Sequence, residues 1–145
     1  MRRYCPKCRV WAYKTHKCPE SALVDTDTEL KFVVQRLYDM GIQAESATWG
    51  VRPKLSPTDE DRIDIRIDLR TKRNAIALGD LPAGWMCLWD LREIDVYIIG
   101  YSEIITGLEL KSVKECAIKI INEFEEFLNE KDSEAVKALL LLTTG

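Results

Sequence analysis

Residues 62–70 read Arg-Ile-Asp-Ile-Arg-Ile-Asp-Leu-Arg, and this stretch has the clearest periodicity in the chain. Apolar and charged residues alternate strictly, which is typical of a strand with one face against a core. The charged face alternates in sign, which indicates cross-strand ion pairs with solvent beyond. Asp64 and Asp68 on this face could also ligate a metal ion, but charged outward faces are far more common. The apolar positions are Ile63, Ile65, Ile67 and Leu69.

Short apolar runs on both sides of this stretch predict further strands. They cover residues 42–51, 85–89, 94–101 and 104–110. Three other segments have apolar residues at helical spacing. A Thr-x-x-Glu capping box at Thr26–Glu29 opens the first, which ends at Gly41. A second box, at Ser112–Glu115, opens a long helix, and Asp132 caps the last one.

This order of elements predicts an α+β domain, in which two or three helices pack on a mostly antiparallel sheet. We expect that domain to span residues 25–145. Residues 1–24 have a different composition and are predicted to form a small separate unit with a linker. In the last helix, four adjacent leucines, residues 139–142, cover every side, so that end is predicted to be buried or to form a homo-oligomer contact.

Composition places the chain among ordinary soluble proteins. It has 145 residues, of which 46% are hydrophobic and 31% charged. The longest aliphatic run is too short to cross a bilayer, and no apolar run follows the first basic residues, so we expect a cytoplasmic protein without a membrane partner. Five cysteines, an odd number, argue against a disulfide framework. Cys87 and Cys116 lie in apolar segments and are expected to be buried thiols.

The remaining three cysteines lie close together with the single histidine. The sequence runs Cys-Pro-Lys-Cys, then seven residues, then His-Lys-Cys. A Cys-x-x-Cys turn directs two thiolates to one point, and a short hairpin would return His16 and Cys18, on one face of an extended strand, to the first pair. Cys5, Cys8, His16 and Cys18 are thus the Cys₃His set of a closed structural zinc site.

Residues 4–19 therefore resemble a minimal zinc knuckle or zinc ribbon. Because four protein ligands leave no position for a substrate, the expected zinc is structural. Its loss is expected to unfold this unit and to leave the rest of the chain folded.

Residues 1–19, called here the basic head, contain no acid and carry a charge of +6, whereas the rest of the chain carries −9. Such asymmetry favours a nucleic acid or an acidic protein as partner. The alternative is that the head docks onto the acidic body of the same chain. Trp11 and Tyr13 could stack on bases, although we favour packing on the body as the role of Trp11 in such a hairpin. The candidate contact residues are Arg2, Arg3, Lys7, Arg9, Trp11, Tyr13, Lys14 and Lys17.

A second resemblance lies near the predicted long helix. Residues 92–99 contain Glu-Ile-Asp before an apolar run, and a Glu-x-Lys follows at residues 109–111. This order resembles the strand pair of the PD-(D/E)XK nuclease superfamily. The resemblance implies that Asp95 and Glu109 hold Mg²⁺ or Mn²⁺, that Lys111 orients the attacking water, and that Glu29 is a further acid. The alternative is a set of surface acids with a lysine at the start of a helix.

Together these patterns predict a small accessory protein, of the kind that phages and mobile elements carry. Its zinc-stapled basic head would contact nucleic acid or a protein. A metal-dependent nuclease is the second hypothesis, and a homodimer with purely structural zinc is the third. No glycine-rich phosphate loop is present, and the single histidine is assigned to zinc, so nucleotide hydrolysis by such a loop and His-based triads are excluded.

Overall fold

The computed structural model describes residues 2–89, 97–105 and 110–142, without the side chains of residues 88, 89, 110 and 111. Seven strands form one sheet in the order β2-β1-β3-β4-β5-β7-β6. All neighbours are antiparallel except β3 and β4, which are parallel and are connected through the first helix. The strands are β1 Arg2–Cys5, β2 Val10–Trp11, β3 Val24–Thr26, β4 Ser46–Arg52, β5 Arg62–Asp68, β6 Trp85–Trp89 and β7 Tyr97–Ile104.

Strand β5 lies between β4 and β7, as its alternating pattern requires. Its isoleucines are fully buried, whereas Asp64 is half-buried and Arg66 exposed on the opposite face. Over its whole length β5 is in register with β4 on one side and with β7 on the other. The predicted half-buried strand is therefore confirmed, and its apolar face is the centre of the core.

Four helices accompany the sheet, and the α+β class is confirmed. The apolar stripes of α1 and α3 pack against each other and against the buried face of the sheet. The opposite face carries polar and charged side chains of β4, β5 and β7 and is called here the open face. The helices are α1 Lys31–Asp39, α2 Lys72–Leu78, α3 Leu110–Asn129 and α4 Ser133–Leu142.

Two of the three predicted helix starts are wrong. Thr26 is the last residue of β3, and a short 3-10 turn at Thr28–Leu30 precedes α1, so no capping box forms there. Helix α3 begins at Leu110, two residues before Ser112, which also removes the end of the strand predicted over 104–110. The cap at Asp132 is confirmed, because its Oδ1 accepts hydrogen bonds from the amides of Glu134 and Ala135.

Helix α2 was not predicted. The Thr71 hydroxyl caps its amino end by accepting a hydrogen bond from the Asn74 amide at 3.2 Å, and Gly79 follows its last residue with a φ of 76°. Both signals are present in the sequence, but the helix has only seven residues and its apolar stripe is short. Cys87, expected to be buried, is exposed on the edge strand β6.

The four leucines of α4 are not equivalent. Leu140 is buried and lies against Gly41, whereas Leu141 and Leu142 are each 79% exposed. The prediction that this end is buried on every side is therefore wrong within the chain, and the homo-oligomer contact stays a prediction. Within the described ranges, no helix has the length and apolar character needed to cross a bilayer.

The basic head is an extension of the sheet. Strand β1 pairs with β2 on one side and with β3 on the other, in a register that places Tyr4 opposite both Trp11 and Val24. Val24, predicted to end a linker, is thus a strand residue, and residues 20–22 form a 3-10 turn. One continuous sheet carries the head and the body.

Candidate metal centre

Four predicted ligands come together at the edge of this sheet. Cys5 is the last residue of β1, Cys8 lies in the turn to β2, and His16 and Cys18 lie beyond β2. The last two were predicted on an extended strand. They instead follow a turn in which the His16 amide donates a hydrogen bond to the Tyr13 carbonyl at 2.8 Å. Irregular backbone therefore returns the second pair to the first.

The spacing of the ligand atoms fits one tetrahedral ion. The three sulfurs and one imidazole nitrogen all lie within 4.8 Å of one another. Sγ of Cys8 and Sγ of Cys18 are 3.6 Å apart. Zinc–sulfur bonds of about 2.3 Å at tetrahedral angles separate two sulfurs by about 3.8 Å. The cluster could therefore hold a metal such as zinc with only small adjustments.

The electrostatics of the sulfurs favour a bound cation. Burial raises the pKa of the Cys5 thiol, but hydrogen bonds from the Cys8 and Lys7 amides and from the neighbouring thiols outweigh burial and leave the pKa below its ordinary value. Hydrogen bonding to the sulfurs of Cys18 and Cys5 raises the pKa of Cys8 to about 11. The turn thus stabilises one thiolate, and a second thiolate beside it is costly until a positive charge offsets the repulsion.

The histidine supports the same interpretation. Nε2 of His16 is buried and has no hydrogen-bond partner among the described residues. A buried nitrogen without a partner is destabilising, and coordination to a metal removes that cost. The donor set of three thiols and one imidazole has the softness that zinc sites use, and it leaves no open position.

A hydrogen-bond network attaches this cluster to helix α1. Gln35, buried on α1, accepts a hydrogen bond from the Tyr4 hydroxyl and donates one to the Pro6 carbonyl at 3.0 Å. Pro6 lies inside the Cys-x-x-Cys turn, so Gln35 holds that turn against the helix. The amide of Gln35 also donates to Asp39, which accepts two hydrogen bonds from Arg9.

Neither Gln35 nor Asp39 was identified from the sequence. Gln35 is 29 residues from Pro6 and Asp39 is 30 residues from Arg9, so no local spacing connects them. Arg9 has a φ of 60°, a left-handed conformation that is strained for a residue with a side chain. Its ion pair with Asp39 helps to hold the turn in that conformation.

The cations of the basic head fall into two groups. Arg3 pairs with Glu20 at 2.8 Å and with Asp25 at 3.6 Å, so the docking of the head on the acidic body is correct in part. Arg9 pairs with Asp39, and the guanidinium of Arg2 lies 4.3 Å above the Trp11 ring. The exposed lysines have no ion pair with any described residue. These are Lys7, Lys14 and Lys17.

The two aromatic candidates also differ in their contacts with the body. Trp11 is half-buried, packs against the core and meets the Tyr4 ring edge-on at a centroid distance of 5.3 Å. Tyr13 is 71% exposed. It borders two adjoining hollows beside the metal cluster, one also lined by Lys17 and the other by Lys14.

The four residues of the nuclease hypothesis are described only in part. Asp95 and Glu109 lie outside the described residues, as does the side chain of Lys111, which is the second residue of α3. Glu29 lies in the 3-10 turn before α1 and pairs with Lys114 of α3 at 3.7 Å. The catalytic assignment therefore stays a prediction.

Comparison with protein-family models, with curated proteins and with solved structures found no match for this chain.

Proposed function

We propose that this protein is a zinc-binding interaction module whose basic head binds single-stranded nucleic acid. The observation that carries this proposal is that the exposed Tyr13 side chain borders two hollows, one lined also by Lys17 and the other by Lys14. A base stacked on that ring would have an ammonium group within reach in each adjoining hollow. Stacking on an aromatic ring and cations along the backbone are the two contacts that such proteins combine.

The charge distribution supports a polyanionic partner. The head carries +6 on a chain whose remaining residues carry −9. Pairing of Arg3 and Arg9 with acids of the body leaves the three exposed lysines, and Arg2 above the Trp11 ring, as the head cations available to a ligand. The net negative charge of the body opposes binding of a long polyanion there and so favours the head.

The metal supplies rigidity to this surface. Lys14 and Lys17 flank His16, and Lys17 precedes Cys18, so an ion on the cluster restricts the backbone that carries both lysines. We assign zinc as that ion because three thiolates, one imidazole and tetrahedral spacing are its preferred environment. The ion orders the head and takes no part in a reaction.

A labelled single-stranded oligonucleotide titrated at several salt concentrations tests the proposal. Each phosphate contact on a single strand contributes about 0.7 to the salt slope. Lys14→Glu with Lys17→Glu is expected to lower the slope by about 1.4 and the affinity at about 0.1 M salt by about 25-fold or more. Tyr13→Ala is expected to weaken binding by about 1–3 kcal/mol, the usual loss for one stacked base.

Lys72→Glu with Lys119→Glu is the matched control, because both lysines are exposed on helices outside the head. It changes the net charge equally and is expected to change affinity only slightly. Binding that does not respond to salt, or an equal loss in the control, would contradict the proposal. Binding of an acidic protein but of no oligonucleotide would support the alternative partner.

A further inference from the structure

The open face of the sheet carries three arginines around one shallow cavity of about 320 Å³. Arg52 of β4 lies directly opposite Arg62 of β5, and Arg66 follows on the same face of β5. Like charges opposite each other on neighbouring strands destabilise a sheet. The arrangement is therefore costly where neither a carboxylate of the protein nor a bound anion offsets the repulsion.

Within its described part, the protein supplies one ion-paired carboxylate to this cluster, while Asp59 interacts with Arg52 and Arg62 only at longer range. Asp64 Oδ2 forms an ion pair with Arg52 Nε at 2.9 Å. The Ser102 hydroxyl lies 3.5 Å from a guanidinium nitrogen of Arg52 and from one of Arg62, and it carries no charge. Neither Arg62 nor the exposed Arg66 forms an ion pair with a described residue. Two guanidinium groups are thus available to a ligand.

The cavity beside these arginines has an apolar side. Gly100 of β7 lies opposite Arg66, is itself buried and lines the cavity without contributing a side chain. Met86 of β6 lies opposite Gly100 and is 59% exposed. A ligand with an anionic group at the arginines could lay an uncharged body across Gly100 and against Met86. The volume lies at the small end of the usual range for ligand sites, about 300–1,000 Å³.

This surface is separate from the basic head. The register places Arg3, Asp25, Ser46 and Asp68 in one row across the open face between β1 and β5. Asp25 and Asp68 therefore lie between the head and the arginine cluster. A polyanion that ran from one to the other would pass both carboxylates, so the cavity favours a small ligand over a continuation of a nucleic-acid strand.

We propose that this cavity binds a phosphate monoester of about mononucleotide size. Arg62 and Arg66 hold the phosphate through charge-assisted hydrogen bonds, for which planar guanidinium groups are well suited. Arg52, oriented by Asp64, borders the same group, and the organic part covers Gly100 and Met86. The inference goes beyond the proposed function and does not depend on it.

Isothermal titration with adenosine monophosphate, uridine monophosphate, ribose 5-phosphate and inorganic phosphate, at constant ionic strength, tests this proposal. At least one monoester is expected to bind saturably and more tightly than inorganic phosphate. Arg66→Gln is expected to weaken that binding about tenfold or more, since it removes a charge-assisted contact. Arg66 is exposed and without an ion pair, so this variant should unfold at the same temperature as the unmodified protein without ligand.

Arg73→Gln, on the exposed side of α2, is the matched control and should bind as the unmodified protein does. The head variant Lys14→Glu with Lys17→Glu should also keep the affinity for the monoester. Absence of saturable binding by all four probes would overturn the proposal, as would an equal loss in the Arg73 variant. Monoester binding no tighter than that of inorganic phosphate, or oligonucleotide binding alone that is lost in Arg66→Gln, would overturn it as well.

Discussion

Gln35→Ala is expected to weaken both the fold and the metal centre. The Gln35 side chain is 7% exposed and makes three hydrogen bonds, to the Tyr4 hydroxyl, the Pro6 carbonyl and Asp39. Tyr4 is 1% exposed, and Pro6 is buried too. Truncation to alanine leaves the Tyr4 hydroxyl and the Pro6 carbonyl buried without this hydrogen-bond partner.

The magnitude follows from those two groups. A buried polar group that loses its partner costs about 1–3 kcal/mol. The two together predict a loss of about 2–6 kcal/mol, a large share of the roughly 5–15 kcal/mol that stabilises a domain. Because Pro6 lies within the Cys-x-x-Cys turn, metal affinity is also expected to fall about 10–100-fold, the usual effect of losing an outer support.

Urea unfolding of the metal-loaded protein measures the first effect, and competition with a chromogenic chelator measures the second. Gln43→Ala is the matched control, since Gln43 is more exposed and, among the described residues, makes a single hydrogen bond, to the Ser21 carbonyl. Its cost is expected to stay within about 0.5 kcal/mol. If Gln35→Ala were no more destabilising than Gln43→Ala, and bound the metal equally well, the assignment of Gln35 as the support of the turn would be wrong.

Three further predictions concern the metal, the last helix and the nuclease hypothesis. Removal of the metal by a strong chelator is expected to lower the melting temperature of the whole domain, which should still unfold in one transition. The reason is that β1 pairs with β3 and Tyr4 is part of the core. Two separate transitions in calorimetry would contradict this prediction. Leu141→Asp is expected to leave the fold intact, since Leu141 is 79% exposed, and a fall in mass by light scattering would reveal a homo-oligomer contact at α4. The nuclease hypothesis predicts that the unmodified protein cleaves nucleic acid with Mg²⁺ or Mn²⁺ and that Glu109→Ala abolishes this cleavage. Absence of cleavage by the unmodified protein with either ion would refute the hypothesis.

The structure leads to a different prediction for removal of the metal from the one that the sequence suggested. The motif alone indicated a separate unit that could unfold while the body survived. The structure places Tyr4 and Val24 in the same core as the helices, and both are essentially inaccessible to solvent. Disorder of the head would therefore expose core residues, which couples the metal to the stability of the body.

Local patterns predicted well the elements that local forces specify. The alternation in 62–70 identified β5, and the spacing of three cysteines and one histidine identified a cluster that the structure confirms. The carboxylate of Asp132 identified the start of α4. In each case the signal lies within a few residues, and the competing conformations lack an equivalent stabilisation.

Predictions failed where another part of the chain competes for the same residues. Thr26 has the sequence of a helix cap, but pairing of β3 with β1 and β4 uses its backbone in the sheet. Four leucines indicated burial on all sides of α4, but only one side of the helix faces α2 and the core. Such outcomes depend on which surfaces meet, and that information is distant in the chain.

The sequence by itself determined the Cys₃His cluster that could hold a metal, the central strand and the α+β class, because these follow from side-chain chemistry and from periods of two and 3.6 residues. Only the tertiary structure decided which head cations remain available to a ligand, since Asp39 and Glu20 neutralise Arg9 and Arg3 across long separations. It also brought arginines from two strands together on the open face, because the strand register places Arg52 beside Arg62, ten residues later in the sequence.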